Sequence, residues 1–216
     1  MERPELIIFD VDGTMLNTEF IWQKAWEYVA EKNGIEKFGK LFNKAVGTTG
    51  DAVTALLNRE LPDVPNRFDL LDEARIKGAE LIPQYIQIMP GLCELLDCVD
   101  EMGIRKAVAT TTSRINTEQR LAQVGILNRF EYLICGDEVS KRKPDPEIYN
   151  NVLKKMKIQP QNALVIEDTK YGVLAAYNAG IHVIMVPSIN LPDHEDLDRC
   201  CAITSSLNDI LYIIKD

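Results

Sequence analysis

The chain has 216 residues and a formal net charge of −9 at pH 7, with 46% hydrophobic and 26% charged residues. That length suits one large domain, or one domain carrying a small insertion. The acidic balance argues against a nucleic-acid-binding surface, which is usually basic, and no apolar run is long enough to cross a bilayer.

Leu6 to Phe9 is a short, continuously apolar run, the pattern of a strand buried on both faces in a parallel sheet. It ends in Asp10-Val11-Asp12-Gly13-Thr14. Open α/β sheets bind ligands outside the carboxyl ends of their strands, so Asp10 and Asp12 stand where chemistry is done. Gly13 permits a sharp turn. After a short link, 20–32 has helical spacing, with Ile21, Ala25, Tyr28 and Val29 on one stripe and Thr18 as a plausible N-cap. Further helical pieces are expected near 38–45, 51–60 and 66–85, with no strand among them. The block therefore reads as a helical insertion following a single strand.

Pro90-Gly91 marks the return to the sheet. A helix near 92–102 leads into a strand over 104–109. A helix over 115–124 is followed by a strand over 132–135. Asp145-Pro146 opens a helix running to about Met156, and a strand over 163–166 follows. A helix over 171–179, a strand over 182–186 and a last amphipathic helix around 207–214 complete the chain. Strands alternating with helices imply a parallel sheet covered on both faces. The fold class is thus α/β, a Rossmann-like core from 1–15 and 88–216 with a helical cap from 16–87. Five cysteines, odd in number and without zinc-site spacing, read as reduced thiols. With no apparent signal segment, a cytoplasmic location is expected.

Two aspartates in one crevice permit three chemistries. They can hold a hard cation, supply a nucleophile, or move protons as general acid and base; a capped turn is the alternative. Three later strand ends bear on the choice. The second strand runs into Thr110-Thr111-Thr112-Ser113, hydroxyls and amides suited to anionic oxygens or to helix capping. Lys141-Arg142-Lys143-Pro144 is a basic cluster in an acidic chain. The fourth strand ends in Glu167-Asp168-Thr169, which suits a helix N-terminus as well as a cation.

The string Asp10 to Thr14 behind an apolar strand resembles the first motif of the haloacid dehalogenase-like superfamily. The other three strand ends match that family's remaining motifs in order, and the helical block resembles the cap of its β-phosphoglucomutase-like subgroup. The resemblance implies a Mg²⁺-dependent phosphatase acting on a small phosphorylated metabolite. It makes Asp10 the nucleophile, Asp12 the general acid and base, and Thr110, Thr111 and Lys143 the phosphate holders, with Lys141 as a substitute for Lys143. The metal would rest on Asp10, Asp168 and the Asp12 backbone carbonyl, with Glu167 behind them. The cap would read the leaving group through Glu19, Trp22, Thr48 and Thr49. The subgroup's mutases carry an Arg in the cap turn and a His in the first cap helix. Here 47–51 has no Arg, and Trp22 stands at the His position, which favours hydrolysis over phosphosugar isomerisation. Other readings are a mutase, a phospho-accepting signalling domain and a non-catalytic binding protein. A monomer without nucleic-acid or membrane partners is expected.

Overall fold

A computed structural model describes residues 3–48 and 50–215. The chain divides into two compact units, Met1–Leu16 with Ile88–Asp216, and Asn17–Gln87. In chain order, β1 (Leu6–Phe9) is followed by five helices: α1 (Thr18–Asn33), α2 (Glu36–Lys40), α3 (Phe42–Ala45), α4 (Gly50–Glu60) and α5 (Arg67–Tyr85). The larger unit continues with α6 (Leu92–Glu101), β2 (Arg105–Ala109), α7 (Arg114–Gln123), β3 (Tyr132–Ile134) and α8 (Glu147–Met156). It ends with β4 (Ala163–Glu167), α9 (Lys170–Asn178), β5 (His182–Met185), α10 (His194–Arg199), β6 (Ala202–Ile203) and α11 (Leu207–Lys215).

The six strands form one sheet in the order β3-β2-β1-β4-β5-β6, and every pair is parallel. All four residues of β1 are fully buried, as expected for a central strand with both faces covered. Leu6 and Ile8 join Ala107, Val165 and Val183 in a core shared with Tyr149 and Val152 of α8 and with Val173 and Ala176 of α9. Strand alternation sends Ile7, Phe9 and Val108 to the opposite face, where α6 packs on β2 and α11 packs on α6. The register sets Phe9 beside both Val108 and Ile166. One residue further on, Asp10, Ala109 and Glu167 therefore emerge together at the carboxyl edge, where the chain winds away from β1 in both directions.

The helical unit has its own core. Trp26 of α1 stacks on Phe38 at 4.5 Å between ring centroids and meets Phe42 edge-on at 5.8 Å. The expected helix near 38–45 is two short helices meeting at Leu41. Asn17, and not Thr18, holds the N-cap position of α1. The Asn17 side chain instead accepts from the Gln87 amide at 2.8 Å and donates to the Tyr85 carbonyl at 3.2 Å, tying the two ends of the insertion together. Tyr28 is exposed, and Trp26 takes its place on the buried stripe. Among the described residues no helix is long and apolar enough to cross a membrane.

Candidate active site

Asp10 follows β1 directly, its amide donating to the Ile166 carbonyl at 3.0 Å, so the sheet ladder itself fixes its backbone. The residue is 7% exposed, and its Oδ1 accepts from Lys143 Nζ at 2.6 Å. Lys143, 5% exposed, also donates to Glu167 Oε1 at 2.7 Å and to the Ala109 carbonyl at 3.0 Å. The ammonium thus closes on the ends of three neighbouring strands, and its position 5.1 Å from the centre of the Tyr149 ring adds a cation–π contact. Lys141 lies exposed and pairs with Asp145, so Lys143 is the lysine that reaches the strand ends.

Glu167 is held from both sides. While Oε1 takes Lys143, Oε2 accepts the amides of Asp168 and Thr169 at 2.8 and 2.9 Å and the Thr169 hydroxyl at 3.1 Å. Asp168 accepts from the Thr14 hydroxyl at 3.2 Å and from the Ser188 hydroxyl. Two close approaches depend on glycine. A side chain at Gly13, whose φ is +85°, or at Gly172 would run into the carboxylates of Asp168 and Glu167 respectively.

Asp10, Glu167 and Asp168 each offer a carboxylate oxygen, all within 4.8 Å of one another and all buried. An all-oxygen, carboxylate-rich set is the chemistry a hard divalent cation selects. Burial and the neighbouring charges act on Asp10 together. Burial pushes the Asp10 carboxyl up to about 8, Glu167 and Asp12 push it the same way, and Lys143 opposes them. Burial alone would favour a neutral Lys143, yet the Asp10 and Glu167 carboxylates outweigh it and hold the ammonium well above its ordinary pKa.

Asp12 uses other partners. Its Oδ2 accepts from the Thr112 hydroxyl at 2.7 Å and from the buried Thr110 hydroxyl at 3.3 Å. Its Oδ1 accepts from Arg120 Nη1 at 2.7 Å. Thr110 also accepts from the Thr112 amide at 3.1 Å, which tightens the turn between β2 and α7. The Thr111 side chain is exposed, and its carbonyl lies so close to Gly136 that no Cβ would fit there.

In the helical unit, the six-membered ring of half-buried Trp22 lies so close to Gly78 of α5 that no Cβ would fit there. Thr48 donates to the Ala45 carbonyl at 2.6 Å, and Glu19 is half-buried in the first turn of α1. Thr49 lies outside the described residues.

Thr112 and Thr14 lie in strings that the sequence marks, though not as partners of Asp12 and Asp168; Arg120 and Ser188 belong to no motif singled out there. Of the latter two, only Arg120 left a legible sign. It falls three residues after Thr117 and one before Leu121, both buried, so a cation sits on the inward stripe of α7.

Residues 7–186 match the family model described as haloacid dehalogenase-like hydrolase. The chain is 31% identical to the phosphorylated carbohydrates phosphatase of Thermotoga maritima, over 98% of this chain and 99% of that one. It superposes on CbbY from Rhodobacter sphaeroides in complex with phosphate with a TM-score of 0.74, at 28% identity over 96% of each chain. A mutant of CbbY in complex with xylulose-(1,5)bisphosphate gives 0.75, at 27% identity over 95% of this chain and 96% of that one.

Proposed function

The chain belongs to the haloacid dehalogenase-like hydrolase family, and from that premise we propose that it hydrolyses phosphate monoesters of small sugar-like metabolites through a phosphorylated Asp10. The observation that carries this reading is the Asp10 carboxylate, buried at the central strand end and paired with Lys143 beside Glu167 and Asp168. The relatives' names, a carbohydrate-phosphate phosphatase and a protein that binds phosphate and a sugar bisphosphate, favour the same substrate class.

The mechanism follows from the chain's own groups. An Asp10 oxygen bonds to phosphorus as the ester P–O bond breaks. Asp12 gives its proton to the departing oxygen, then takes one from the water whose oxygen attacks the acyl phosphate, releasing phosphate and restoring Asp10. Lys143 offsets the repulsion between the Asp10 carboxylate and the incoming dianion, and with the Thr110 hydroxyl and the Thr111 amide it holds the transferring oxygens. We assign Asp10, Asp168 and the Asp12 backbone carbonyl to Mg²⁺, which when bound would neutralise phosphoryl charge. Glu167 works behind them by fixing Lys143 and the turn into α9. The choice of leaving group is assigned to the helical unit, with Glu19, Trp22, Thr48 and Thr49 as the positions to vary.

The test is a screen of phosphorylated metabolites with and without Mg²⁺, paired with Asp10→Asn. Turnover of sugar phosphates that needs the metal and vanishes in the variant supports the reading. Undiminished turnover in Asp10→Asn sinks the nucleophile.

A further inference from the structure

Asp12 needs more than reach to serve as acid and base. Its carboxyl group rotates about two bonds, and a proton is delivered only from the oxygen that faces the leaving group. The residue follows the end of β1, outside the regular ladder, so side-chain partners must set that rotation. Arg120 supplies one of them, and it does so half the chain away, with its side chain 11% exposed against 14% for Asp12. Arginines are rarely taken this far out of water without a carboxylate in view. The other arginines of the larger unit with recorded ion pairs, Arg105, Arg114, Arg129 and Arg199, bind acids that are far more exposed and take no part in the site.

We propose that Arg120 is a positioning residue for the acid–base step, holding the Asp12 carboxyl so that Oδ2 is the oxygen that carries the proton. The inference rests on the reading of Asp12 as acid and base given above. It follows from what the partners can do. A guanidinium only donates, so Oδ1, 2.7 Å from Arg120 Nη1, is fixed as an acceptor. The partners of Oδ2 include two hydroxyls, Thr112 at 2.7 Å and Thr110 at 3.3 Å. A hydroxyl donates to a carboxylate and, by rotating, accepts from a carboxylic acid. Oδ2 can therefore gain and lose its proton while these hydroxyls stay paired, whereas a proton on Oδ1 would face the donating guanidinium. In the first step the Oδ2 proton passes to the ester oxygen as the P–O bond breaks. In the second, Oδ2 takes a proton from water as the water oxygen bonds to phosphorus. A brace that merely ties α7 to the loop after β1 would show the same ion pair but would have no stake in the leaving group.

The experiment reads kcat/KM, which reports phosphoryl transfer to Asp10, across monoesters running from p-nitrophenyl phosphate to an alkyl phosphate such as glycerol phosphate. The proteins are the wild type, Arg120→Met, Arg120→Lys and Thr112→Val, all with Mg²⁺. General acid catalysis is typically worth about 10²–10⁴-fold. Arg120→Met should therefore lose about 10²-fold on the alkyl ester, and at least about tenfold less on p-nitrophenyl phosphate, whose leaving group departs without a proton. Arg120→Lys should regain part of the loss, because an ammonium still donates to Oδ1, and Thr112→Val should show the same bias toward the alkyl ester. Equal losses across the series, or Lys no better than Met, overturn the role of Arg120. If Arg120→Met does not fold, Arg120→Lys and Thr112→Val decide, and a flat profile in both overturns it. A wild type inert on every ester overturns the phosphatase reading and this proposal with it; an active wild type separates the two.

Discussion

Replacing Lys143 by Met tests the electrostatics of the site without removing any proposed metal ligand. Three carboxylate oxygens lie within 4.8 Å of one another. At an effective dielectric of about 20, each ionised pair at that spacing repels by about 3 kcal/mol, or about 10 kcal/mol for all three. The same treatment gives the Lys143 ammonium about 6 kcal/mol of attraction to each of the carboxylates 2.6 and 2.7 Å away, so the lysine roughly balances the cluster. Without it the site relieves the repulsion by taking up a proton, most readily on Asp10, which burial already pushes up to about 8. Proton uptake limits the loss to the roughly 3–5 kcal/mol typical of a broken buried ion pair, a fall in melting temperature of roughly 6–20 °C for a chain of this size. The pH dependence has a definite sign. An acid whose folded pKa is raised binds its proton more tightly in the native state, so stability declines as pH climbs from its unfolded value toward the folded one. The deficit of Lys143→Met should be largest at pH 9 in EDTA and smallest at pH 5. Mg²⁺ should raise the melting temperature of the variant more than that of the wild type, because it replaces missing positive charge. Melting curves at pH 5, 7 and 9, with EDTA and with Mg²⁺, supply the measurement. A variant that melts within about 2 °C of the wild type at pH 9 in EDTA, about 0.5–1 kcal/mol for a chain this long, refutes the electrostatic balance.

Gly172→Ala isolates the steric support of Glu167. The added methyl would overlap the Glu167 carboxylate, and overpacking of this kind costs about 1–3 kcal/mol. A melting curve should show the loss, and isothermal titration should show weakened Mg²⁺ binding; unchanged metal affinity would detach Glu167 from the metal site. Asp196 is 1% exposed, and its Oδ1 is the buried side-chain oxygen without a hydrogen-bond partner among the described residues. Burial raises its pKa, with the neighbouring Asp193 carboxylate adding to the effect, so its charge destabilises the fold above the unfolded pKa. Asp196→Asn should melt higher than the wild type at pH 8, by an amount on the order of 1 kcal/mol, and the gain should fade toward pH 4. Asp12→Ala should slow hydrolysis while leaving Mg²⁺ binding largely in place, since the metal is assigned the Asp12 carbonyl and not its side chain. Loss of binding in the same titration would reassign that residue.

What the sequence disclosed, and what it kept back, divides along physical lines. The strand ends were legible because a parallel sheet converts sequence into position. Once Leu6 to Phe9 is the central strand, register alone brings Asp10, Ala109 and Glu167 to one edge. The two-residue β6 at the sheet margin has too few apolar residues to show a pattern. Helix α10 has no apolar stripe, and a capping box between Asp193 and Asp196 marks its start. That Asp12 would pair with Arg120 and Thr112 was hidden for a different reason. Arg120 and Thr112 lie 108 and 100 residues away in the chain, and which face α7 turns inward depends on packing over its whole length. The distinction carries over to chemistry. Groups carried on strand ends define where phosphate and metal would sit, because the register of the sheet fixes their backbone positions. Groups reaching in from a helix flank, such as Arg120, govern how an acid is aimed, and they change with a single substitution that leaves the sheet untouched. Substitution at such a flanking residue should therefore shift leaving-group preference before hydrolysis itself is lost.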